Sequence, residues 1–215
     1  VKKIVAAIYE KKILEQIQRG KVPQHIILVL SEDNLMEENA WKRLKAFTEW
    51  CSEIGIQNIT VYISIVEAGE LKQKLEESLI NTASRALSSA KMGIAIFTKE
   101  KQKQIKNGTP QLNISIGYGG KYELTNAIKE IMKKVEAGEI KAEDIDEKLI
   151  EAHLTFKIEP DLIIRADGKR LTDFLIWQAV YSELYFTDVS WRDFRKIDFL
   201  RAVRDFQRRQ RRFGA

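Results

Sequence analysis

Arg165 and Arg170 stand on either side of a glycine turn, Asp167-Gly168-Lys169, and a further cationic cluster closes the chain as Arg211-Arg212-Phe213-Gly214-Ala215. A guanidinium presents a planar fork of N–H donors that matches pairs of phosphate oxygens, so arginines at a strand end and a helix start suit a diphosphate. A glycine next to a terminal arginine lets the backbone approach an anion closely. The same side chains are equally suited to structural ion pairs with Asp161, Asp167 or Asp173, and the residues alone leave both readings open. Other chemistry-bearing residues are isolated. His25 starts an apolar run and His153 follows a helical pattern, with no ligand spacing between them, and Cys51 on an apolar helix face reads as core. No Ser-His-Asp order, phosphate-binding loop or zinc pattern is present.

These residues need elements to position them. Apolar residues at helical intervals in VKKIVAAIYEKKILEQIQ predict an opening helix that Gly20 and Pro23 stop. HIILVL is a short continuous apolar run, the pattern of a strand buried on both faces. Helices are further expected over Glu37–Cys51, Leu71–Ala90, Glu123–Glu136, Ala142–Ala152, Thr172–Tyr181 and Phe199–Arg212. Strands are expected over Ile59–Ile65, Gly93–Phe97, Leu112–Ile116 and Leu162–Arg165. The polar stretch Thr98–Gln111, punctuated by Asn107-Gly108 and Pro110, reads as a loop. Alternating strands and helices predict an α/β fold, with a mostly parallel sheet of about six strands and helices on both faces. One domain is expected to span residues 1–215, since no repeat, low-complexity tract or long linker divides the chain.

Composition narrows the function. The 215 residues are 44% hydrophobic and 31% charged, ordinary for a globular protein, and the single cysteine excludes an internal disulfide framework. No apolar run approaches the ~20 residues that span a bilayer. The expected location is the cytoplasm, with peripheral contact at a membrane surface. The net charge of +5 is concentrated after Trp191, where nine Arg or Lys face three Asp. Such a basic helix suits nucleic acid phosphates, anionic lipid head groups or a diphosphate. No nucleic-acid module accompanies it, and no nucleic acid partner is expected.

The stretch DLIIRADGKRLTDFLIWQAVYSELYFTDVSW (Asp161–Trp191) closely resembles the C-terminal signature of the cis-prenyltransferases, the undecaprenyl and dehydrodolichyl diphosphate synthases. LNISIGYGGKYELTNAI (Leu112–Ile128) resembles that family's Y-G-G-R-x-E segment, with Lys121 for the Arg and Gly117 for the preceding Asn. IYEKKILEQIQRGKVPQHIILVL resembles the helix, linker and first strand that lead into the family's D-G-N-x-R-W loop. Here HIILVLSEDNLMEENAW follows instead. Ser31 stands where the family has Asp, Glu32 where it has Gly, Asp33 where it has Asn, and Leu35 where it has Arg. In YISIVEAGE only Glu67 of the family's E-N-W survives, with Ala68 and Gly69 for the other two. The chain also reads as shortened after Asp33 and between Thr98 and Gln111.

The resemblance implies an undecaprenyl diphosphate synthase-like fold, dimeric through the C-terminal third, and a reaction joining isopentenyl diphosphate to an allylic diphosphate with Mg2+. It implies that Arg165, Arg170 and Thr172 hold isopentenyl diphosphate, that Glu183 is a magnesium-associated carboxylate, and that Arg212 and Gly214 complete a partner's site. No catalytic residue is assigned: Ser31 replaces the family Asp, and Glu32 or Asp33 is the available substitute. An absent loop with a retained tail is similar to the Nogo-B receptor type of accessory subunit. The leading expectation is therefore a non-catalytic or weakly catalytic subunit of a heteromeric polyprenyl or dolichol-type synthase, with Mg2+ in the shared site and a catalytic cis-prenyltransferase subunit as partner. The alternatives are a divergent homodimer active on its own and a diphosphate-binding module without turnover.

Overall fold

A computed structural model describes residues 2–65, 69–157, 159–166 and 177–209. Its centre is a seven-stranded sheet of order β4-β3-β5-β2-β1-β6-β7. The strands are β1 (His25–Ser31), β2 (Asn58–Ser64), β3 (Gly93–Phe97), β4 (Gln102–Lys106), β5 (Gln111–Ile116), β6 (Leu162–Arg165) and β7 (Glu183–Phe186). All neighbours run parallel except the edge pair β3 and β4. The helices are α1 (Lys2–Gln18), α2 (Glu32–Met36), α3 (Ala40–Glu53), α4 (Gly69–Ala86), α5 (Gly120–Glu136), α6 (Glu147–His153) and α7 (Lys196–Arg208). No helix among the described residues is long and apolar enough to cross a membrane.

Why β1 reads as an unbroken apolar run is visible in its two faces. Ile26, Leu28 and Leu30 enter the larger core with Ile13 and Ile17 of α1, Leu44 and Phe47 of α3, Leu79 of α4, and Phe199 and Phe206 of α7. Ile27 and Val29, on the alternate face, join Tyr62, Phe97, Tyr118 and Phe156 in a second cluster. Covered on both sides, a parallel strand has no solvent face on which to place polar residues.

Three local expectations give way. Residues 102–106 form a strand inside the expected loop, held by ladder bonds to β3 even though Ile105 is its one apolar residue. Its four polar residues are exposed at the sheet edge, where lysines discourage pairing with another chain. Residues 177–181 are a turn rather than the end of a helix, and residues 172–176 of that expected helix lie outside the described residues. The chain then re-enters the sheet as β7, the second strand not anticipated, so the sheet has seven strands rather than about six. Residues 142–152 split into a short 3-10 turn (Ala142–Asp144) and α6, because Asp146 accepts the Leu149 amide at 2.8 Å and starts a fresh helix.

Candidate functional site

Parallel strands end on one edge, and a ligand crevice forms there where the strand order reverses. In this sheet the reversal lies at β1, with β2 on one side and β6 on the other. Ser31 ends β1, Ser64 ends β2 and Arg165 ends β6. Arg165 pairs in register with Val29, which puts Ser31 about 7 Å further along the same edge. The half-buried Arg165 therefore stands beside the end of β1, and its carbonyl accepts the Thr187 amide at 3.1 Å.

The β1 end is closed by its own backbone chemistry. Ser31 is the N-cap of α2, and its amide donates to Asn34 Oδ1 at 2.9 Å. Leu35 is 3% exposed and belongs to the large core, while Glu32 is buried and Asp33 is exposed. Next door, Ser64 Oγ donates to the Leu30 carbonyl at 3.3 Å and ties the two strand ends together. Among the described residues, no group of three or more His, Cys, Asp or Glu side chains could hold a metal ion. Mg2+ takes oxygen ligands in octahedral geometry, commonly one or two carboxylates together with substrate phosphates, and Glu32 and Asp33 are the carboxylates at this strand end.

Glu183 sits elsewhere. It opens β7 and pairs with Leu162, whereas Phe186 at the far end of β7 pairs with Arg165. One strand length, about 10 Å, separates it from the arginine in the same chain. Its Oε2 accepts from Arg209 Nη1 at 2.9 Å. Asp161 likewise marks the amino end, its Oδ2 accepting the amides of Gln24 at 2.7 Å and His25 at 3.2 Å. Arg170 and Thr172 lie outside the described residues, as do Asp167, Glu67, Arg212 and Gly214.

Two groups escaped the sequence reading. Glu123 of α5 is 2% exposed; its Oε1 accepts the Phe156 amide at 2.8 Å and its Oε2 accepts from Gln178 Nε2 at 3.1 Å. Gln178 Nε2 also donates to the Phe156 carbonyl at 2.6 Å. The Glu of the Y-G-G-K-x-E segment and the Gln of the Trp-Gln pair thus form one buried network. Burial lifts the Glu123 carboxyl above its ordinary range, outweighing the bonds it accepts. Beside it, Trp177 Nε1 donates to Glu151 at 3.3 Å, across a cleft of about 370 Å³ lined also by Leu154 and Phe156.

The second is Glu76 of α4, whose Oε1 would lie 3.2 Å from a Cβ added at Gly117, just past β5. Burial raises its carboxyl too, with Lys72 at 3.8 Å pulling the other way. Helical spacing put Glu76 on a face with Lys72 and Ile80, but only the fold brings that face to the end of β5. His25 Nε2 lies 2.9 Å from Thr60 Oγ1, and His153 Nδ1 lies 2.8 Å from the Leu149 carbonyl.

The topology defines a class, an α/β protein with a mainly parallel sheet whose strand order reverses at β1. Comparison with known proteins makes the class specific. A family model described as putative undecaprenyl diphosphate synthase matches residues 82–214. A Methanocaldococcus jannaschii protein named tritrans,polycis-undecaprenyl-diphosphate synthase (geranylgeranyl-diphosphate specific) is 36% identical over 253 positions, covering 98% of this chain and 89% of its own. A protein of the same name from Thermococcus kodakarensis is 33% identical over 243 positions, covering 96% and 92%. Alignments longer than this chain's 215 residues leave both relatives with residues it lacks. Lavandulyl diphosphate synthase from Lavandula x intermedia superposes with a TM-score of 0.74 at 22% identity, over 90% of this chain and 99% of that one. A probable undecaprenyl diphosphate synthase from Campylobacter jejuni gives 0.71 at 20%, over 91% and 100%. The chain belongs to the undecaprenyl diphosphate synthase family, the cis-prenyltransferases.

Proposed function

We propose that this chain is the accessory subunit of a two-component polyprenyl diphosphate synthase, with a loop-bearing family member as its catalytic partner. The observation that carries the reading is the end of β1. The position where the family has a cation is Leu35, buried in the core, and the position of the metal-anchoring Asp is a helix-capping serine. Neither can ionise an allylic diphosphate, a step that needs cationic and metal clamps on the departing group. The family's Mg2+ then belongs with the partner's loop. This chain contributes Arg212 and Gly214 to the partner's isopentenyl diphosphate site, and Glu183, at the start of β7, pairs with Arg209 just ahead of that tail. Arg165, with Arg170 and Thr172, would bind a diphosphate on this chain. The long lipid product brings the pair to a membrane surface.

A second reading is a divergent homodimer active on its own, favoured by near full-length relatives that carry synthase names. One assay separates them. The purified chain is incubated with radiolabelled isopentenyl diphosphate, geranylgeranyl diphosphate as primer and Mg2+, alone and with a loop-bearing family member from the same source. The accessory reading expects no extraction of label into lipid by the chain alone, strong stimulation in the mixture, and its loss with Arg212→Ala. Turnover by the chain alone, abolished by Glu183→Ala, establishes the homodimer instead.

A further inference from the structure

Where α7 packs on α1, its surface is a stripe of arginines. Arg201, Arg204 and Arg208 recur at intervals of three and four residues, which stacks them along one face of the helix. The acids around them are already engaged. Asp198 Oδ2 accepts from Arg195 Nε at 3.1 Å and its Oδ1 from Arg201 Nη1 at 3.3 Å. Asp205 accepts from Arg209 Nε at 2.9 Å, and Glu10 of α1 lies 3.6 Å from Lys196 Nζ. Arg204 has no ion pair with a carboxylate among the described residues, although it is half-buried.

Its guanidinium is turned instead to Tyr9 of α1. The guanidinium carbon of Arg201 lies 5.7 Å from the centre of the same ring. Hydrogen bonds from Arg204 first, and from Arg201 second, hold the Tyr9 phenol below its ordinary pKa. Tyr9 is 39% exposed, so the point where the three groups converge is open to solvent. A guanidinium drawn partly out of water without a counter-charge is costly, and a phenol oxygen accepts its hydrogen bonds without supplying that charge.

We infer that Tyr9, Arg201 and Arg204 form a binding site for a phosphate monoester, carried on a lipid head group or free in solution. One arginine fork satisfies a planar carboxylate. Two forks from successive turns of α7, with a hydroxyl from a second helix, offer donors from three directions and suit a tetrahedral dianion. None of the residues assigned to prenyl diphosphate chemistry takes part, so the site stands whether or not the chain is an accessory subunit. Ile8, the residue before Tyr9, is 64% exposed. With a lipid-borne phosphate, that apolar side chain would meet the acyl boundary.

The test uses the full chain with 15N-labelled arginines, inorganic phosphate as the probe, and chloride at matched ionic strength as the control. Phosphate should shift the Nε–Hε signals of Arg201 and Arg204 saturably, and chloride should not. Arg204→Gln, read through Arg201, should weaken phosphate about 10-fold and Tyr9→Phe about 3-fold, as a charge-assisted and a neutral hydrogen bond are lost. Arg204→Lys, which keeps the charge without the fork, should recover part of the loss. An equal loss with Arg208→Gln, an exposed neighbour on the same stripe, overturns the site in favour of the general field of the helix. Sedimentation with phosphatidylcholine vesicles containing phosphatidic acid separates the two sources. A lipid source predicts vesicle binding that inorganic phosphate competes, Arg204→Gln abolishes and Ile8→Ser weakens. Phosphate shifts without vesicle binding assign the site to a free monoester. Absence of both, or binding that Arg204→Gln leaves unchanged, overturns the inference.

Discussion

Leu35 and Glu123 show how a single position decides chemistry through what surrounds it. Leu35 lies in the core beside the β1 end, so Leu35→Arg provides no exposed cation there. It buries an unpaired cation instead, and chemical denaturation should show a loss of about 3–5 kcal/mol. Glu123 makes a pH-dependent contribution whose sign follows from its raised pKa. Above the ordinary glutamate range the unfolded chain has released a proton that the native state still holds. The contribution of Glu123 is therefore fully present at pH values below that range and is lost as pH rises through its folded pKa. Glu123→Gln should flatten the stability curve at pH values above the ordinary glutamate range relative to the parent, read by denaturant titration at each pH. A glutamine there can still accept the Phe156 amide, and its NH2 can serve Gln178 Oε1, which has no donor among the described residues. Glu123→Ala leaves the Phe156 amide unsatisfied and should cost about 1–3 kcal/mol at any pH.

Among the elements, β4 and β7 frame the sheet and neither could be read locally. A strand such as Gln102–Lys106 shows no apolar alternation because it is an edge with both faces largely wet, and only its pairing with β3 makes it a strand. The pairing is irregular between Ile94 and Ala95, where Gln104 Nε2 donates to the Ile94 carbonyl at 3.1 Å and to the Lys106 carbonyl at 2.7 Å. The link from β4 to β5 passes close to the start of β3: a Cβ at Gly93 would fall under 3.0 Å from backbone atoms of Gly108. Gly93→Ala should therefore force the hairpin away from the sheet, destabilising the protein by about 1–3 kcal/mol and speeding amide exchange in β4 before β1. The expected loop, Thr98–Gln111, contains β4 and the turn that leads into it.

Taken whole, the molecule has two poles. Ser31 and Arg165 mark the carboxyl edge, and Glu183 with Arg209 marks the opposite one. Among the described residues the core ends at Phe206 on α7. Deleting residues 210–215 should leave the melting temperature within about 2 °C of the parent, no more than the shift that about 1 kcal/mol produces in a chain of this length. The same deletion should lower stimulation of a catalytic partner at least 10-fold, measured as incorporation of labelled isopentenyl diphosphate. Retained stimulation places the functional contact elsewhere on the chain.

The sequence by itself determined the α/β class, the strands β1, β2, β3, β5 and β6, and the family. Apolar runs and helical periods are local properties, and a strand buried on two faces writes its burial directly into consecutive residues. Only the tertiary structure decided that Leu35 faces the core, that Glu123 meets Gln178 across 55 residues, and that Glu183 meets Arg209 across 26. Charged and polar side chains carry no periodic signal that names their partner. Whether a carboxylate serves a metal, a buried amide or an arginine is fixed by which strand end the fold brings beside it.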